Sequence, residues 1–202
     1  GADGAIERIE YETQGIKATL RAPTFVLSAG AVQSAALLLG SATEAYPTGL
    51  ANRSDQVGRN FMNHNCSAVL ALHPLRRNRS IYQKTLMMND FYLRNGSEPP
   101  LGNIQMLGKI TGDILSATTR LPRWVAGMIA ARSCDFYAMS EDLPNPESRV
   151  TLKGDQIYLD WQRSNWAAHE ALVAKLKAIL RKAGFPIVLS QAFDRRTPSH
   201  QC

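Results

Sequence analysis

The sequence predicts a mixed fold, α/β at its start and α+β beyond, and three features predict it. A short apolar run at residues 24–28 meets the turn Ala29-Gly30-Ala31 and then an apolar helical run over residues 32–39. From Cys66 onward, strand-like stretches separated by turns dominate. Late in the chain, one long stretch repeats its apolar residues at a helical period.

The elements follow in order. Residues 5–12 partly alternate, with Ile6, Ile9 and Tyr11 as apolar points, and residues 16–20 alternate again; Gln14-Gly15 between them predicts a hairpin. The run Thr24 to Ser28 reads as a strand buried on both faces. Val32 to Leu39 reads as a helix that packs Leu37, Leu38 and Leu39 inward. Strand, glycine turn and helix make half of a nucleotide-binding unit, although no GxGxxG occurs anywhere in the chain. Residues 47–65 have loop composition and mark the expected boundary between two parts.

Beyond that boundary, strands are expected at residues 66–72, 85–93 and 103–110, then a helical or irregular stretch at 112–131 broken by Pro122. Strands resume at 133–139, 149–152 and 156–161, the last two joined by the turn Lys153-Gly154-Asp155. The clearest helix starts at a capping Asn165. It carries the stripe Leu172, Val173, Leu176, Ile179 and Leu180, and stops at Gly184 with Pro186 beyond. Both ends of the chain read as cut, which makes a piece of a larger protein the expectation.

Composition narrows the function classes. Hydrophobic residues make up 45% and charged residues 20%, as in a folded globular protein. The net charge is +6 with a pI near 9.4, and the basic residues are spread along the chain except at Arg76, Arg77 and Arg79. No nucleic-acid-reading motif accompanies them, so nucleic acid is not an expected partner. No apolar run is long enough to span a membrane. Cys66, Cys134 and Cys202 form no CxxC pair and no disulfide framework, which fits a reducing compartment; the sequence leaves localisation open between cytoplasm and periplasm.

Among candidate site residues, His64 with Cys66 and His200 with Cys202 offer two His-x-Cys steps, but not the knuckle spacing of structural zinc sites. Asn52, Asn65, Asn78 and Asn95 each head an N-glycosylation acceptor pattern, read as polar loops in the absence of a secretion signal. His73 and His169 read as structural or solvent-facing. His200, in a polar loop after Arg195 and Arg196, is the residue best placed to accept a proton near neutral pH. On its spacing alone it reads first as a surface-loop histidine with no chemical role.

Four segments in order resemble the glucose-methanol-choline (GMC) flavoprotein oxidoreductases. Residues 30–42, Gly-Ala-Val-Gln-Ser-Ala-Ala-Leu-Leu-Leu-Gly-Ser-Ala, are similar to the family signature Gly-Ala-x-x-Ser-Pro-x-Leu-Leu-x-x-Ser-Gly, with Ala35 and Ala42 replacing its proline and last glycine. Residues 57–64, Val-Gly-Arg-Asn-Phe-Met-Asn-His, resemble the family's Val-Gly-x-Asn-Leu-x-x-His loop. The Pro-rich turn at 140–148 leading into Arg149-Val150 resembles a substrate-domain strand, and Ser199-His200-Gln201-Cys202 resembles the opening of the His-x-x-Gly-Thr motif.

The resemblance implies the end of a Rossmann-like FAD-binding domain (residues 1–65), followed by an antiparallel-sheet substrate-binding cap with packed helices (66–193). Residues 194–202 would begin the return to the FAD and catalytic region. It implies FAD as cofactor, with Ala29 and Gly30 near its adenosine end, and His200 as the catalytic base. The substrate would be an alcohol, sugar or sugar acid oxidised at a CH–OH group, and an electron-acceptor subunit is a possible partner. The partner of the catalytic histidine and the main phosphate-binding glycines are not in these 202 residues, so the chain alone is expected to be inactive. The alternative expectation is a non-catalytic binding or interaction module that shares the cap's sheet-and-helix form.

Overall fold

A computed structural model describes residues 5–80, 84–93 and 98–193. Its contacts divide the chain into two units: residues up to 58 together with 151–157, and residues 59–150 together with those from 158 onward.

In the first unit, β1 (Ile9–Thr13) and β2 (Ile16–Leu20) form an antiparallel hairpin registered from Ile9↔Leu20 to Thr13↔Ile16. Gln14 and Gly15 both adopt positive φ, the type I′ geometry that matches the twist of the strands. The run at 24–28 does not form the expected buried strand: it joins no ladder, and Val26 is 83% exposed. Extended backbone becomes a strand only against a hydrogen-bonding neighbour, and no described residue supplies one.

Helix α1 (Gly30–Gly40) follows, but of its residues only Ala36 is buried, while Leu38 and Leu39 are half-buried and Leu37 is exposed. Three consecutive residues fan over about 200° of a helix, so three leucines in a row cannot share one inward face. The polar stretch after α1 is self-bonded. Asn52, buried at its centre, accepts from Val57 N at 2.9 Å and donates to Thr48 O at 2.8 Å.

The second unit is built on a five-stranded antiparallel sheet. Its order is β4 (Met87–Met88), β5 (Asn103–Met106), β6 (Ser133–Ser140), β3 (Asn65–Leu72) and β9 (Ile187–Ala192). Strand β3 is buried along all its length because both sheet faces are covered. On one face lies α4 (Trp166–Lys182), whose Leu172, Leu176 and Leu180 meet Val69, Ala71, Ile104, Phe136, Ala138 and Val188. Each such leucine contributes about 2 kcal/mol by leaving water. On the other face, α2 (Gly112–Thr119) and α3 (Arg123–Ala130) set Leu115 and Ala126 against Ala68 and Leu70. Pro122 does more than interrupt a helix: it is the residue from which α3 starts.

The hairpin β7 (Arg149–Lys153) and β8 (Gln156–Asp160) turns at Gly154-Asp155. Two expected strands are shorter than the sequence suggested. Residues 85–93 pair only at β4, because the chain turns where Tyr92 N meets Asn89 O, and β5 stops at Met106, beyond which Ile110 N donates to the Asp135 side chain. Asn165 precedes α4 as foreseen but does not cap it, since its amide instead donates to Glu141 O at 2.9 Å. At the far end the cap is present: Gly184 N bonds Arg181 O and Phe185 N bonds Leu180 O.

Candidate functional site

Of the three residues singled out by sequence for cofactor binding and catalysis, two are described. Ala29 precedes α1 and Gly30 is its first residue, at φ +82, and both are exposed. A side chain at Gly30 would touch nothing within 4 Å, so the glycine is needed for its backbone conformation rather than for space. No side chain caps the first turn of α1 and no acidic residue lies in it. Ser34 Oγ reaches back only as far as Ala29 N, at 3.1 Å. The result is a small-residue turn with open backbone N–H groups and the positive end of a helix dipole, which suits an electronegative ligand. These two residues fit the contact with a nucleotide that the resemblance implies. His200 lies outside the described residues, as do Ser199 and Cys202.

In the second unit, two of the resembling segments, about 80 residues apart in sequence, are built against each other. The loop leading into β3 runs alongside the Pro-rich turn after β6. Arg59 Nη1 donates to Pro146 O at 3.0 Å and pairs with Glu147 at 3.4 Å. Phe61 N donates to Ser148 O at 2.9 Å, and Asn63 N to Asp142 Oδ2 at 3.3 Å. Asn65 then opens β3 opposite Ser140.

Asp142 is the hub of this junction, a role that sequence reading did not assign. Its Oδ2 also accepts from Trp161 Nε1, and its Oδ1 accepts from Leu143 N, Ser164 N and Ser164 Oγ. A buried carboxylate with five donors aimed at it is a clamp, with few lone pairs left for chemistry. Two buried acceptors remain beside it without a partner, Asn63 Oδ1 and Asn65 Oδ1, although Asn65 Nδ2 does reach Ser164 O at 2.8 Å.

One turn into α4, His169 is 1% exposed and lies across the same end of strands β3 and β6. Its Nε2 is 2.8 Å from Ser67 Oγ and its Nδ1 is 3.1 Å from Ser140 Oγ. Burial, with the Arg163 guanidinium second, lowers its pKa to about 4. Trp166 packs on the ring at 5.0 Å, and Arg163 sits 4.6 Å over Trp166. His169 is therefore a neutral strut between β3 and β6. The spacing 169, 172, 176, 180 placed it on the apolar stripe and was the signal available for this.

The remaining candidates separate. Cys66 is buried in β3, and Cys134 is half-buried with its thiol pushed up by burial and then by neighbouring Asp135, which disfavours the nucleophilic thiolate. Among the described residues no group of three metal-ligating side chains converges, and the second His-x-Cys step lies outside them. Asn52 and Asn65 are buried and Asn78 Nδ2 holds Ser133 O at 2.7 Å, so those three acceptor patterns are occupied by structure; Asn95 lies outside the described residues.

No family model matches the chain. Its sequence does share similarity with an oxidoreductase, a dehydrogenase subunit. That relative is the fructose dehydrogenase large subunit of Gluconobacter japonicus, 49% identical over 150 residues, an alignment covering 66% of this chain and 26% of the relative. The chain thus spans about a quarter of the length of the protein it matches.

Proposed function

We propose that this chain is part of a flavin-linked dehydrogenase of the GMC type, which oxidises a CH–OH group of a sugar or related alcohol. The observation that carries the reading is the 49% identity over 150 residues to a fructose dehydrogenase large subunit. The ordered GMC-like segments at residues 30–42, 57–64, 140–150 and 199–202 also support it. In this reading residues 1–65 belong to the FAD-binding domain, 66–193 form the substrate-binding cap, and 194–202 return to the catalytic region.

Ala29 and Gly30 would meet the adenosine end of FAD, where the uncapped, acid-free start of α1 offers backbone N–H groups and no side-chain bulk. Bound there, FAD supplies the hydride acceptor. His200 takes the proton from the substrate hydroxyl, so that the alkoxide forms as the hydride leaves and charge does not build on carbon. The junction organised by Asp142 fixes the loop 59–65 against the turn 140–148 and so holds the start of the cap sheet in one arrangement. The relative's designation as a large subunit supports a further subunit as electron acceptor.

The test is spectroscopic. The enzyme carrying this chain together with its flavin domain is purified, and its flavin absorbance is followed on anaerobic addition of fructose, other sugars and sugar acids. Bleaching by a sugar is the expected result. A preparation that is folded yet colourless, or a flavin that no alcohol reduces, overturns the proposal and leaves the binding-module alternative. The 202-residue chain alone, without a GxGxxG, is expected to purify without stoichiometric flavin.

A further inference from the structure

Read along the sequence, the basic residues are scattered; the fold gathers their surplus. Residues 73–80 and 109–132 together hold seven cations against the single acid Asp113, while the rest of the chain holds sixteen of each sign. The whole net charge of +6 therefore resides in two segments, and the structure ties those segments together.

Arg132 joins them, with its Nη1 on Met128 O at 3.0 Å and its Nε on Pro74 O at 3.1 Å. Asn78 N bonds Ala131 O at 2.9 Å, and Lys109 Nζ bonds Asn78 O at 2.8 Å. The loop carrying Arg76, Arg77 and Arg79 thus lies beside the C-terminal end of α3. At the other end of α3, Arg123 pairs with Asp113 at 3.3 Å, which leaves one acid among these cations already matched.

The same segments expose large apolar side chains. Leu75 is 89% exposed, at the tip of the arginine loop, and Trp124 is 69% exposed on α3, with Met128 one turn on and Ile114 on neighbouring α2 also exposed. Trp124 and Met128 stand one turn apart on α3, while Leu75 and Ile114 come from separate segments. A protein partner would need a separate pocket for each, whereas a lipid interface admits protruding Trp and Leu wherever they fall and supplies phosphates for the arginines. No described helix is long and apolar enough to cross a membrane, so attachment here would be to the surface.

We propose that the surface formed by the 74–79 loop and the α2–α3 pair binds an anionic phospholipid membrane peripherally, with Leu75 and Trp124 entering the headgroup layer and Arg76, Arg77 and Arg79 meeting lipid phosphates. This binding is separate from the oxidoreductase reading and does not depend on it.

The experiment is co-sedimentation of the chain with phosphatidylcholine vesicles and with phosphatidylcholine vesicles containing 30% phosphatidylglycerol, at roughly 0.1 M salt where screening acts over about 10 Å. Binding is expected to the anionic vesicles alone and to be lost at high salt. The double variant Arg76→Ser, Arg77→Ser partitions about 30-fold more weakly, at about 5-fold for each cation removed. With brominated lipid the emission of the chain is quenched, and that quenching disappears in Trp124→Phe. All three substituted residues are exposed, so the variants keep the wild-type circular dichroism. Equal binding to neutral vesicles, unchanged partition of the double variant, quenching that survives Trp124→Phe, or capture by polyglutamate with no vesicle binding each overturns the proposal.

Discussion

Protonation of His169 is expected to destabilise the second unit, and the structure sets both the sign and the size of the effect. The ring lies between Ser67 and Ser140, and either hydroxyl can donate or accept, so a proton on the imidazole breaks neither contact. The cost is that of charging a buried ring, increased by Arg163, and it lowers the folded-state value from the ordinary 6.5 to about 4. Because the folded value is the depressed one, the unfolded chain takes up the proton first as pH falls. Stability tied to His169 is therefore fully present above pH 6.5, declines as pH falls from 6.5, and is exhausted near pH 4. At 1.36 kcal/mol per pH unit, that interval corresponds to about 3 kcal/mol. The assay is urea unfolding followed by circular dichroism at pH 7.5 and pH 4.5, for wild type and His169→Gln. The carboxylates titrate in both proteins, so the difference between their pH dependences isolates the histidine. Wild type should lose about 2–3 kcal/mol more than the variant over this range. Parallel behaviour of the two proteins, within about 0.5 kcal/mol, refutes the reasoning.

Three other perturbations have defined outcomes. Asp142→Asn keeps an acceptor toward Ser164 but turns an amide N–H toward Asn63 N and the Trp161 indole, stranding two buried donors; urea unfolding should show a loss of about 3 kcal/mol. Gly102→Ala places a methyl carbon 2.2 Å from Met139 O, at φ +145, where the backbone of neighbouring β6 blocks it; a fall in thermal midpoint matching about 2–4 kcal/mol is expected, and unchanged melting would contradict the β5–β6 register. In the flavin-containing enzyme, His200→Ala should leave the flavin bound and slow its reduction by substrate at least ~10²-fold in stopped-flow absorbance, and an unchanged rate removes His200 from the mechanism.

What could be read in the sequence was whatever is decided locally. The Gln14-Gly15 turn, the α4 stripe with its Gly184 cap and the Pro122 break each depend on a few adjacent residues, and each is where the pattern put it. The apolar run at 24–28 was misread because a strand is a relation between segments, and composition cannot supply the second segment. Leu37 was misplaced because apolar character was given more weight than the 100° step of the helix. Asp142 escaped notice for the same reason as the missing strand partner: three of its donor residues lie 19, 22 and 79 positions away. The charged surface was legible only in part, since the sequence shows the cluster Arg76, Arg77 and Arg79 but not that Arg132 joins it to residues 109–132.

The junction at Asp142 brings together two separate segments that carry the resemblance. The loop 59–65 is held there because its Arg59 side chain and its Phe61 and Asn63 amides meet Pro146 O, Ser148 O and the Asp142 carboxylate in turn. The turn 140–148 is bound reciprocally, with Trp161 and Ser164 locking Asp142 from the far side. Loss of the Asp142 carboxylate strands the Asn63 amide and the Trp161 indole at about 1–3 kcal/mol each. The resembling segments at 57–64 and 140–150 thus meet through residues 59–63 of one and 142–148 of the other. The segment at 30–42 is bonded into a different unit and stands as a separate match, as does 199–202 by its position in the sequence. The oxidoreductase reading thus rests on four likenesses in order and one alignment, with the Asp142 junction tying together the middle of the chain.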